Sequence, residues 1–230
     1  MRLNKFLANS GVGSRRECDN LIQDNGVIIN GKEIFTPSTQ VEDGDEVVYN
    51  GKKIELISKL DAIILNKPLD YLTSLSDTHG RKVVYDILPK DYRNYKYAGR
   101  LDYNSTGLIL LINKSDYAEM ITNPKHKVEK VYEVICKYPI LDEELEKLRN
   151  GVVLDDGMET KPAKINKIDK FKVQVIISEG KKRQVRRMFD AVGNRVEKLH
   201  RESIGNISVK DLKIGQYRTL AKEELEELFK

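Results

Sequence analysis

Apolar residues recur at helical spacing at 3–7 and again at 18–22, which predicts two short helices near the N-terminus. Ser14 and Glu17 form an S-x-x-E capping box, so we expect the second helix to begin at that point. The apolar run 27–29 then meets an Asn-Gly dipeptide, which predicts a β-hairpin with a type I′ turn. The first part of the chain therefore has the pattern of a small unit with two helices and at least one hairpin.

The next stretch is less regular. Val41 and the run 47–49 lie on either side of Gly44-Asp45 and suggest a further strand pair. The stretch 50–60 is charged and carries little pattern, and we interpret it as a linker. The sequence thus predicts two domains, which we place at 1–58 and 59–230.

Beyond Asp61, short apolar runs alternate with turns and with amphipathic segments. The runs predict strands at 62–65, 108–112, 131–136 and 173–177, and the amphipathic segments predict helices near 115–122, 141–150, 182–192 and 221–229. Strands outnumber helices and do not follow a regular βαβ rhythm. The pattern therefore favours an α+β domain built on a mixed, largely antiparallel sheet.

Composition narrows the class of protein. Of 230 residues, 40% are hydrophobic and 33% are charged, as in soluble globular proteins, and no apolar run approaches the roughly 20 residues that span a bilayer. The only cysteines, Cys18 and Cys136, lack CxxC spacing, and the three histidines share no metal-ligand spacing. Glycine-rich phosphate loops are also absent from the sequence. We expect a cytoplasmic protein with no disulfide, no metal, no nucleotide cofactor and no membrane partner.

The net charge of +4 is small and says little about function, so the distribution of the charges along the chain is more informative. Between Glu179 and Arg201, basic residues clearly outnumber acidic ones. Such a segment either lies against a phosphate backbone or is a solvated helix face, and the charges alone leave both interpretations open.

Four basic residues lie on or beside the two N-terminal helices: Arg2, Lys5, Arg15 and Arg16. A helix pair that carries basic side chains can lie against phosphates. The stretch RLNKFLANSGVGSRRECDNLIQDNGVIINGK…VEDGDEV resembles an S4 RNA-binding domain over nearly its whole length. The resemblance implies binding of structured RNA through these four residues, but it fixes no activity, because the domain occurs in enzymes and non-enzymes.

The segment GRLDYNSTGLILL carries the clearest candidate chemistry. If its approach is extended, Arg100 and Asp102 point to the same side, and a cation beside a carboxylate favours the ionised acid. Asn104 and Ser105 then form a polar turn before a buried strand. These residues suit a nucleophile or general base, or equally a structural ion pair. The segment resembles the GRLD-x-[DN]-[ST]-x-G-L signature of the pseudouridine synthases, whose essential aspartate corresponds to Asp102.

A second motif is KVYEV. In a strand, Lys130 and Tyr132 share a face, so that a ring and a cation can line one pocket. An ordinary strand tyrosine would fit the pattern as well. The segment resembles the family's K-x-Y-x-V motif, which implies that Tyr132 contacts the target base. We expect Arg100, Asn104 and Lys130 to take part in substrate binding.

A third motif is the predicted helix that follows Gly180. On a helical wheel, Arg186 flanks the apolar stripe, whereas Arg183 and Arg187 lie nearly opposite it and point towards RNA or solvent. The segment resembles the family's G-x-x-[HR]-Q-[VI]-[KR]-R-[ML] motif. That resemblance implies Arg186 as the partner of Asp102. From the same segment we expect substrate contacts from Arg183 and Gln184 and RNA contacts from Lys182 and Arg187.

A smaller match starts at Lys67-Pro68, which resembles the opening of the family's K-P-x-G motif and implies a substrate contact for Lys67. The sequence departs from the motif at Asp70, where glycine is usual. If the backbone there needs a positive φ, aspartate tolerates it better than most residues but less well than glycine.

Together the motifs predict a pseudouridine synthase with Asp102, Tyr132 and Arg186 as catalytic residues. We expect a monomer that acts without cofactor on ribosomal RNA or on the assembling small ribosomal subunit, with 16S rRNA as the favoured target. The alternatives are a synthase for large-subunit 23S rRNA, a non-catalytic S4-type assembly factor and, with only general basicity behind it, a DNA-binding regulator.

Overall fold

The computed structural model describes residues 1–57 and 59–229. Its N-terminal domain begins with helices α1 (Leu3–Asn9) and α2 (Arg15–Asn25). Strands β1 (Val27–Ile29), β2 (Lys32–Ile34), β3 (Val47–Tyr49) and β4 (Lys52–Ile54) follow in an antiparallel sheet of order β2-β1-β3-β4. The helices and strands share one small hydrophobic core.

Local sequence explains most of this domain. The capping box is formed, because the Ser14 hydroxyl accepts the Glu17 N–H at 3.2 Å and the Ser14 N–H donates to the Glu17 carboxylate at 2.7 Å. Asn30 and Gly31 have φ values of 50° and 78°, the positive angles that a type I′ turn requires. The predicted second helix and first hairpin are therefore confirmed.

The second strand pair differs from our prediction. Val41 lies outside the strands, and β3 pairs instead with β4 across Asn50-Gly51, whose φ values are 49° and 70°. The interpretation of 50–60 as a linker was therefore wrong for the residues of β4. The same Asn-Gly signal that predicted the first hairpin was present, but the polar composition of β4 obscured the strand.

The second domain carries nine strands and four helices in its described part. The strands are β5 (Ala62–Lys67), β6 (Lys96–Tyr97), β7 (Thr106–Ile112), β8 (Lys130–Cys136), β9 (Lys164–Lys167), β10 (Lys172–Ile177), β11 (Val196–Ile204), β12 (Ile207–Ser208) and β13 (Tyr217–Thr219). The helices are α3 (Ser115–Thr122), α4 (Asp142–Asn150), α5 (Gln184–Ala191) and α6 (Lys222–Leu228), with short 3-10 turns at Val84–Asp86 and Lys90–Tyr92.

The nine strands form one sheet of order β13-β5-β7-β11-β8-β10-β9, with β6 paired to β7 and β12 to β11. Only the β7–β11 pairing is parallel among the described strands, so the predicted mixed, largely antiparallel sheet is confirmed. Helices α4 and α5 pack on one face of the sheet, and helices α3 and α6 pack on the other. Strands β5 and β7 are buried on both faces, which explains their continuous apolar runs.

Strand β11 was not predicted, although it lies at the centre of the sheet. Its buried positions do not alternate, because its pairing with β8 shifts register between Val196 and Lys198 and again between Arg201 and Ser203. A bulge removes the period of two on which strand prediction rests.

Polar contacts between described residues join the two domains. Lys5 forms an ion pair with Asp116 at 2.9 Å, and Ser115 donates a hydrogen bond of 2.7 Å to the side-chain oxygen of Asn9. Asn94 donates to the carbonyl of Gly11 at 2.7 Å. The predicted boundary falls at Ser58, which lies outside the described residues, as does Lys230, so both ends of the 59–230 domain stay predictions. No helix in residues 1–57 and 59–229 is long and apolar enough to cross a membrane.

Candidate active site

A cavity of about 430 Å³ opens where the segment 98–105 passes the centre of the sheet. Its walls come from that segment, from β8, from β11 and from the turn before α5. Seven of the predicted site residues line it: Arg100, Asp102, Lys130, Tyr132, Lys182, Arg183 and Gln184. Asn104 lines a shallower depression next to it, to which Asp102 and Arg183 also contribute. The three motifs that are far apart in the sequence therefore meet at one place.

Asp102 lies on a turn whose backbone is fixed by hydrogen bonds before and after it. Leu101 is buried while Arg100 is exposed and Asp102 is partly exposed, so the expected alternation of side chains is confirmed. Thr73 donates its hydroxyl to the Leu101 carbonyl at 2.9 Å and accepts the Leu101 N–H at 3.2 Å. The Ser105 N–H donates to the Asp102 carbonyl at 3.1 Å. The carboxylate is thus carried by a backbone with little freedom, next to the rigid strand β7.

Lys67 supports this turn from inside the protein. Its side chain is 0% exposed, and its Nζ donates to the carbonyls of Pro68 at 2.9 Å, Tyr103 at 3.4 Å and Ser105 at 2.7 Å. Burial lowers the pKa of Lys67 to about 8, against the opposing charges of Asp70 and Asp102. The predicted substrate contact of Lys67 is therefore corrected, because all three of its protons are used by the backbone.

Asp70 adopts a left-handed backbone conformation, the kind for which glycine is the usual residue. Its φ is 62°, and its N–H donates to the Tyr103 carbonyl at 3.0 Å. Aspartate is among the residues that tolerate this left-handed region, so the loop forms without the usual glycine. The departure at residue 70 leaves the support of the Asp102 turn intact.

The cation that pairs with Asp102 is Arg183, not Arg186. The Nη1 atom of Arg183 lies 3.6 Å from the Asp102 carboxylate. Arg183 has a φ of 51° and precedes helix α5, which begins at Gln184. The helical wheel therefore did not apply to Arg183, whose exposed side chain lies beside Asp102 at the mouth of the cavity.

Arg186 is buried beneath the same turn. Its Nη2 donates to the Asn104 carbonyl at 2.8 Å and to the Ser105 hydroxyl at 3.4 Å, while its Nη1 donates to the Val196 carbonyl at 2.9 Å. Burial lowers the pKa of Arg186 from its ordinary value, and the nearby charge of Arg183 lowers it further, while Asp102 opposes both. Arg186 thus acts on Asp102 through the backbone of the turn and through its charge.

Lys130 and Tyr132 share one face of β8, as predicted, and both line the cavity. They are 7% and 8% exposed. Lys130 donates to the carbonyl of Ile121 at 3.4 Å, and burial together with the charge of Arg201 lowers its pKa to about 8. The tyrosine ring and the ammonium group therefore form part of the cavity's inner wall.

Gln184 stabilises the turn before α5, which forms part of the cavity wall. Its amide group donates to the Glu179 carboxylate and accepts the Lys181 N–H at 2.8 Å. Glu179 is buried and also accepts the N–H of Lys161 at 3.0 Å. The predicted substrate contact of Gln184 is corrected to a structural role, and Glu179 is a buried acid that the sequence motifs did not indicate as a site residue.

Arg201 is a second site residue that the sequence did not reveal. In the sequence it belongs to the basic segment 179–201 and was not predicted as a site residue, yet in the fold it is 3% exposed and lines the cavity. Its Nε donates to the Leu108 carbonyl at 2.8 Å. The backbone of Arg201 approaches β7 so closely that a Cβ on Gly107 would lie 2.2 Å from its carbonyl oxygen. Glycine at 107 therefore permits the parallel contact that brings Arg201 beside the Asp102 turn.

Two of the predicted RNA contacts are already engaged by acids. Lys5 is paired with Asp116, and Arg187 lies 2.5 Å from Asp155 and 2.6 Å from Asp156. Both sets of ion pairs are partly open to solvent, so these two RNA contacts stay predictions. Four others are exposed and stay predictions: Arg2, Arg15, Arg16 and Lys182.

Comparison with known proteins adds independent support. Residues 61–191 match the family model described as RNA pseudouridylate synthase, and residues 1–47 match the S4 domain model. The chain is 36% identical over 233 residues to the ribosomal large subunit pseudouridine synthase B of Bacillus subtilis (strain 168), covering 99% of this chain and 95% of that protein. It is also 36% identical over 227 residues to the ribosomal small subunit pseudouridine synthase A of Escherichia coli (strain K12), covering 98% of each. A crystal structure described as a pseudouridylate synthase has a TM-score of 0.74 at 34% identity and covers 99% of both chains.

Proposed function

Because this chain belongs to the RNA pseudouridylate synthase family, we propose that it isomerises one specific uridine of ribosomal RNA to pseudouridine, with Asp102 as the catalytic carboxylate. The observation that carries the proposal is the position of Asp102. Its carboxylate is partly exposed at the cavity, paired with Arg183 at 3.6 Å and carried by a turn that buried cations support. A carboxylate that a rigid turn holds at the edge of a cavity can act as a nucleophile or base.

The reaction is an isomerisation, so no oxidant, reductant or energy source is consumed. The bond between C1′ of the ribose and N1 of uracil breaks, and its electron pair moves onto the base. The base rotates, C5 forms the new bond to C1′, and the proton from C5 is replaced by one on N1. Asp102 acts on the bound uridine, at the sugar or at the base, while Tyr132 offers its ring to the uracil for stacking.

The target uridine must leave its stack to reach a cavity of this size. Extrusion costs a few kcal/mol, which contacts to phosphates and stacking on Tyr132 offset. The exposed basic residues of the N-terminal domain, Arg2, Arg15 and Arg16, supply contacts of this kind, and Lys182 supplies one at the cavity mouth. We propose that the enzyme works as a cytoplasmic monomer on rRNA or on the assembling small subunit.

We favour 16S rRNA as the substrate. Relatives from several bacteria, including Escherichia coli and Haemophilus influenzae, are named small subunit pseudouridine synthases and align over nearly the whole chain. Large-subunit 23S rRNA is the second candidate, because the Bacillus subtilis large-subunit enzyme has the same 36% identity. The cavity itself does not separate the two, since site choice depends on RNA shape.

The deciding experiment maps pseudouridines in 16S and 23S rRNA, as naked transcripts and in assembling subunits. Wild type is compared with Asp102→Asn, which keeps the shape of the side chain and removes its charge. We expect one new 16S pseudouridine with wild type and a rate lower by roughly 10⁴-fold or more with the variant. RNA affinity is measured in parallel, and we expect it to be equal for both proteins.

Each other result has a defined meaning. Modification of 23S rRNA alone would keep the enzyme and reassign its substrate. A fully active Asp102→Asn protein would remove the carboxylate from the mechanism. RNA binding without product on any substrate would leave a non-catalytic assembly factor as the function.

A further inference from the structure

The inner wall of the cavity contains two buried cations, Lys130 and Arg201, which lie on the paired strands β8 and β11. Arg201 is directly opposite Tyr132 in that pairing and directly opposite Gly107 in the pairing with β7. The Nε atom of its guanidinium donates a hydrogen bond to the Leu108 carbonyl. In the part of the chain that the structure describes, its Nη2 atom is buried and has no hydrogen-bond partner.

The other end of the guanidinium faces the segment that carries Asp102. The Nη1 atom of Arg201 lies 3.8 Å from the position of a Cβ added to Gly99, three residues before Asp102. A side chain at residue 99 would therefore contact the guanidinium, and glycine leaves this side of it without one. Arg201, Tyr132 and Asp102 thus line the same cavity, and the guanidinium keeps donor capacity that the protein itself does not use.

The two acids of the cavity are engaged elsewhere. Asp102 pairs with Arg183, and Glu179 accepts hydrogen bonds from Gln184 and from the Lys161 N–H. Among the described residues, neither Lys130 nor Arg201 has an ion pair. Buried charges without a partner cost free energy, so this pair of cations fits a site whose ligand brings negative charge or strong acceptors.

Depth distinguishes the parts of a nucleotide that could reach this wall. A backbone phosphate is bulky and hydrated, so it would pair with the more exposed cations at the cavity mouth, which are Arg100, Lys182 and Arg183. Arg201 and Lys130 are only 3% and 7% exposed, at the depth of the ring of Tyr132. A flat base stacked on that ring presents its carbonyl edge at the same depth.

We infer that Arg201 donates a hydrogen bond to a carbonyl oxygen of the extruded uracil and, with Lys130, stabilises the negative charge that the base acquires during the reaction. When the C1′–N1 bond breaks, the electron pair stays with the ring and spreads over N1, O2 and O4. The same pair is used when C5 bonds to C1′, so the charge on the base is transient. Preorganised donors aimed at such charge are worth more in a water-poor site than in solution. The inference rests on the proposed function and adds a contacting residue to it.

The first test measures single-turnover rates on an rRNA fragment whose target uridine carries tritium at C5, which is released when C5 forms its new bond. We expect Arg201→Gln to lower the rate by about 10²–10³-fold, the usual effect of removing one such donor. Arg201→Lys should lose less, because it keeps the charge. Lys198→Gln is the matched control, since it removes one charge from an exposed position on the same strand and should stay within about twofold of wild type.

The second test separates contact with the base from a structural role. The target uridine is replaced by 2-thiouridine or by 4-thiouridine, because sulfur is a much weaker hydrogen-bond acceptor than oxygen. We expect one of the two replacements to slow wild type by about fivefold or more and to have little effect on Arg201→Gln. A residue that only stabilises the fold would show the same sulfur effect in both proteins.

Three results would overturn the inference while the proposed function stands. In the first, wild type is active and neither sulfur replacement changes its rate. In the second, the sulfur effects are equal in wild type and variant. In the third, Arg201→Gln loses RNA affinity but keeps its single-turnover rate, which would indicate a phosphate contact. A wild type that makes no pseudouridine in any rRNA would overturn the proposed function and the inference together.

Discussion

Four buried cations surround the candidate site, and they form two groups that differ in how their hydrogen bonds are used. Lys67 and Arg186 lie beneath the Asp102 turn and donate mainly to backbone carbonyls at 2.7–3.4 Å, so that only the Nε atom of Arg186 is left buried without a partner in this group within the described structure. Lys130 and Arg201 lie on the opposite wall, where Lys130 makes one long bond of 3.4 Å and Arg201 has an unpartnered Nη2 within the described structure.

This difference shows that burial by itself does not identify a functional cation. Lys67 and Lys130 have nearly the same burial, and burial lowers the pKa of each to about 8. The two lysines differ in how many hydrogen-bond acceptors surround the ammonium group. A lysine with three carbonyl partners supports the backbone, whereas a lysine with one distant partner has capacity left for a ligand.

The largest expected effect comes from making the same substitution in both groups. Lys67→Met leaves the carbonyls of Tyr103 and Ser105 without their donor, so we expect the free energy of unfolding to fall by about 2–3 kcal/mol. Lys130→Met removes a poorly compensated charge, and we expect it to leave the stability equal or to raise it by about 1–3 kcal/mol. Urea unfolding at pH 7 measures both.

The activities of the two variants sharpen the test. Lys130→Met should bind RNA and yet lose activity, because a charge facing the base has been removed from a folded site. If both variants lost stability to the same extent, the division of the cations into supporting and ligand-facing groups would be wrong.

A smaller effect is expected in the pH dependence of stability. Lys130 titrates near 10.5 in the unfolded chain and near 8 in the folded protein. Below pH 8 both states hold the proton and the cost of burying the charge is complete. Between about pH 8 and 10.5 only the unfolded chain keeps the proton, so this cost shrinks as the pH rises. The stability advantage of Lys130→Met over wild type should therefore narrow by about 1 kcal/mol per pH unit in that window.

Urea unfolding of both proteins at pH 7, 8.5 and 9.5 checks this. Comparing the pair cancels the titration of the two buried cysteines, whose pKa values burial raises to about 11 and 12. A difference that does not change with pH would mean that Lys130 is not desolvated in the folded protein.

The smallest effects concern the surface cations. Arg187 is held by Asp155 and Asp156, so Arg187→Gln should leave the affinity for the rRNA fragment within about twofold of wild type. Arg15→Gln and Arg16→Gln each remove an exposed charge, and each should reduce the slope of log affinity against log salt by about 0.7–0.9. Filter binding at several salt concentrations measures these slopes. Equal losses for all three variants would show that the acids do not occupy Arg187.

Much of the fold could be predicted from the sequence because its signals are local. The capping box at Ser14, the Asn-Gly turn and the apolar runs of β5 and β7 depend on neighbours within a few residues. The motif containing Asp102 and the alternation of Lys130 and Tyr132 are local in the same sense. Strand β11 was missed because its two bulges remove the local period.

The partners of the site residues could not be predicted in this way. The family resemblance implied Arg186 as the partner of Asp102, but the helix begins one residue after Arg183, which has a left-handed φ and lies beside Asp102 at the cavity mouth. The contacts of Lys67 with residues 103 and 105 and of Arg201 with residue 108 join positions distant in the chain. No periodicity in the sequence encodes such contacts.

The sequence by itself determined the two-domain plan, the class of sheet, the family and the candidate catalytic carboxylate, since each depends on short motifs and local periodicity. Tertiary structure alone decided which basic residues support the Asp102 turn, which are occupied by acids and which keep free donors facing the cavity. The physical reason is that burial and hydrogen-bond satisfaction depend on strands and turns that meet only in the folded chain. Basic residues that look alike in the sequence therefore acquire different roles from the groups that surround them.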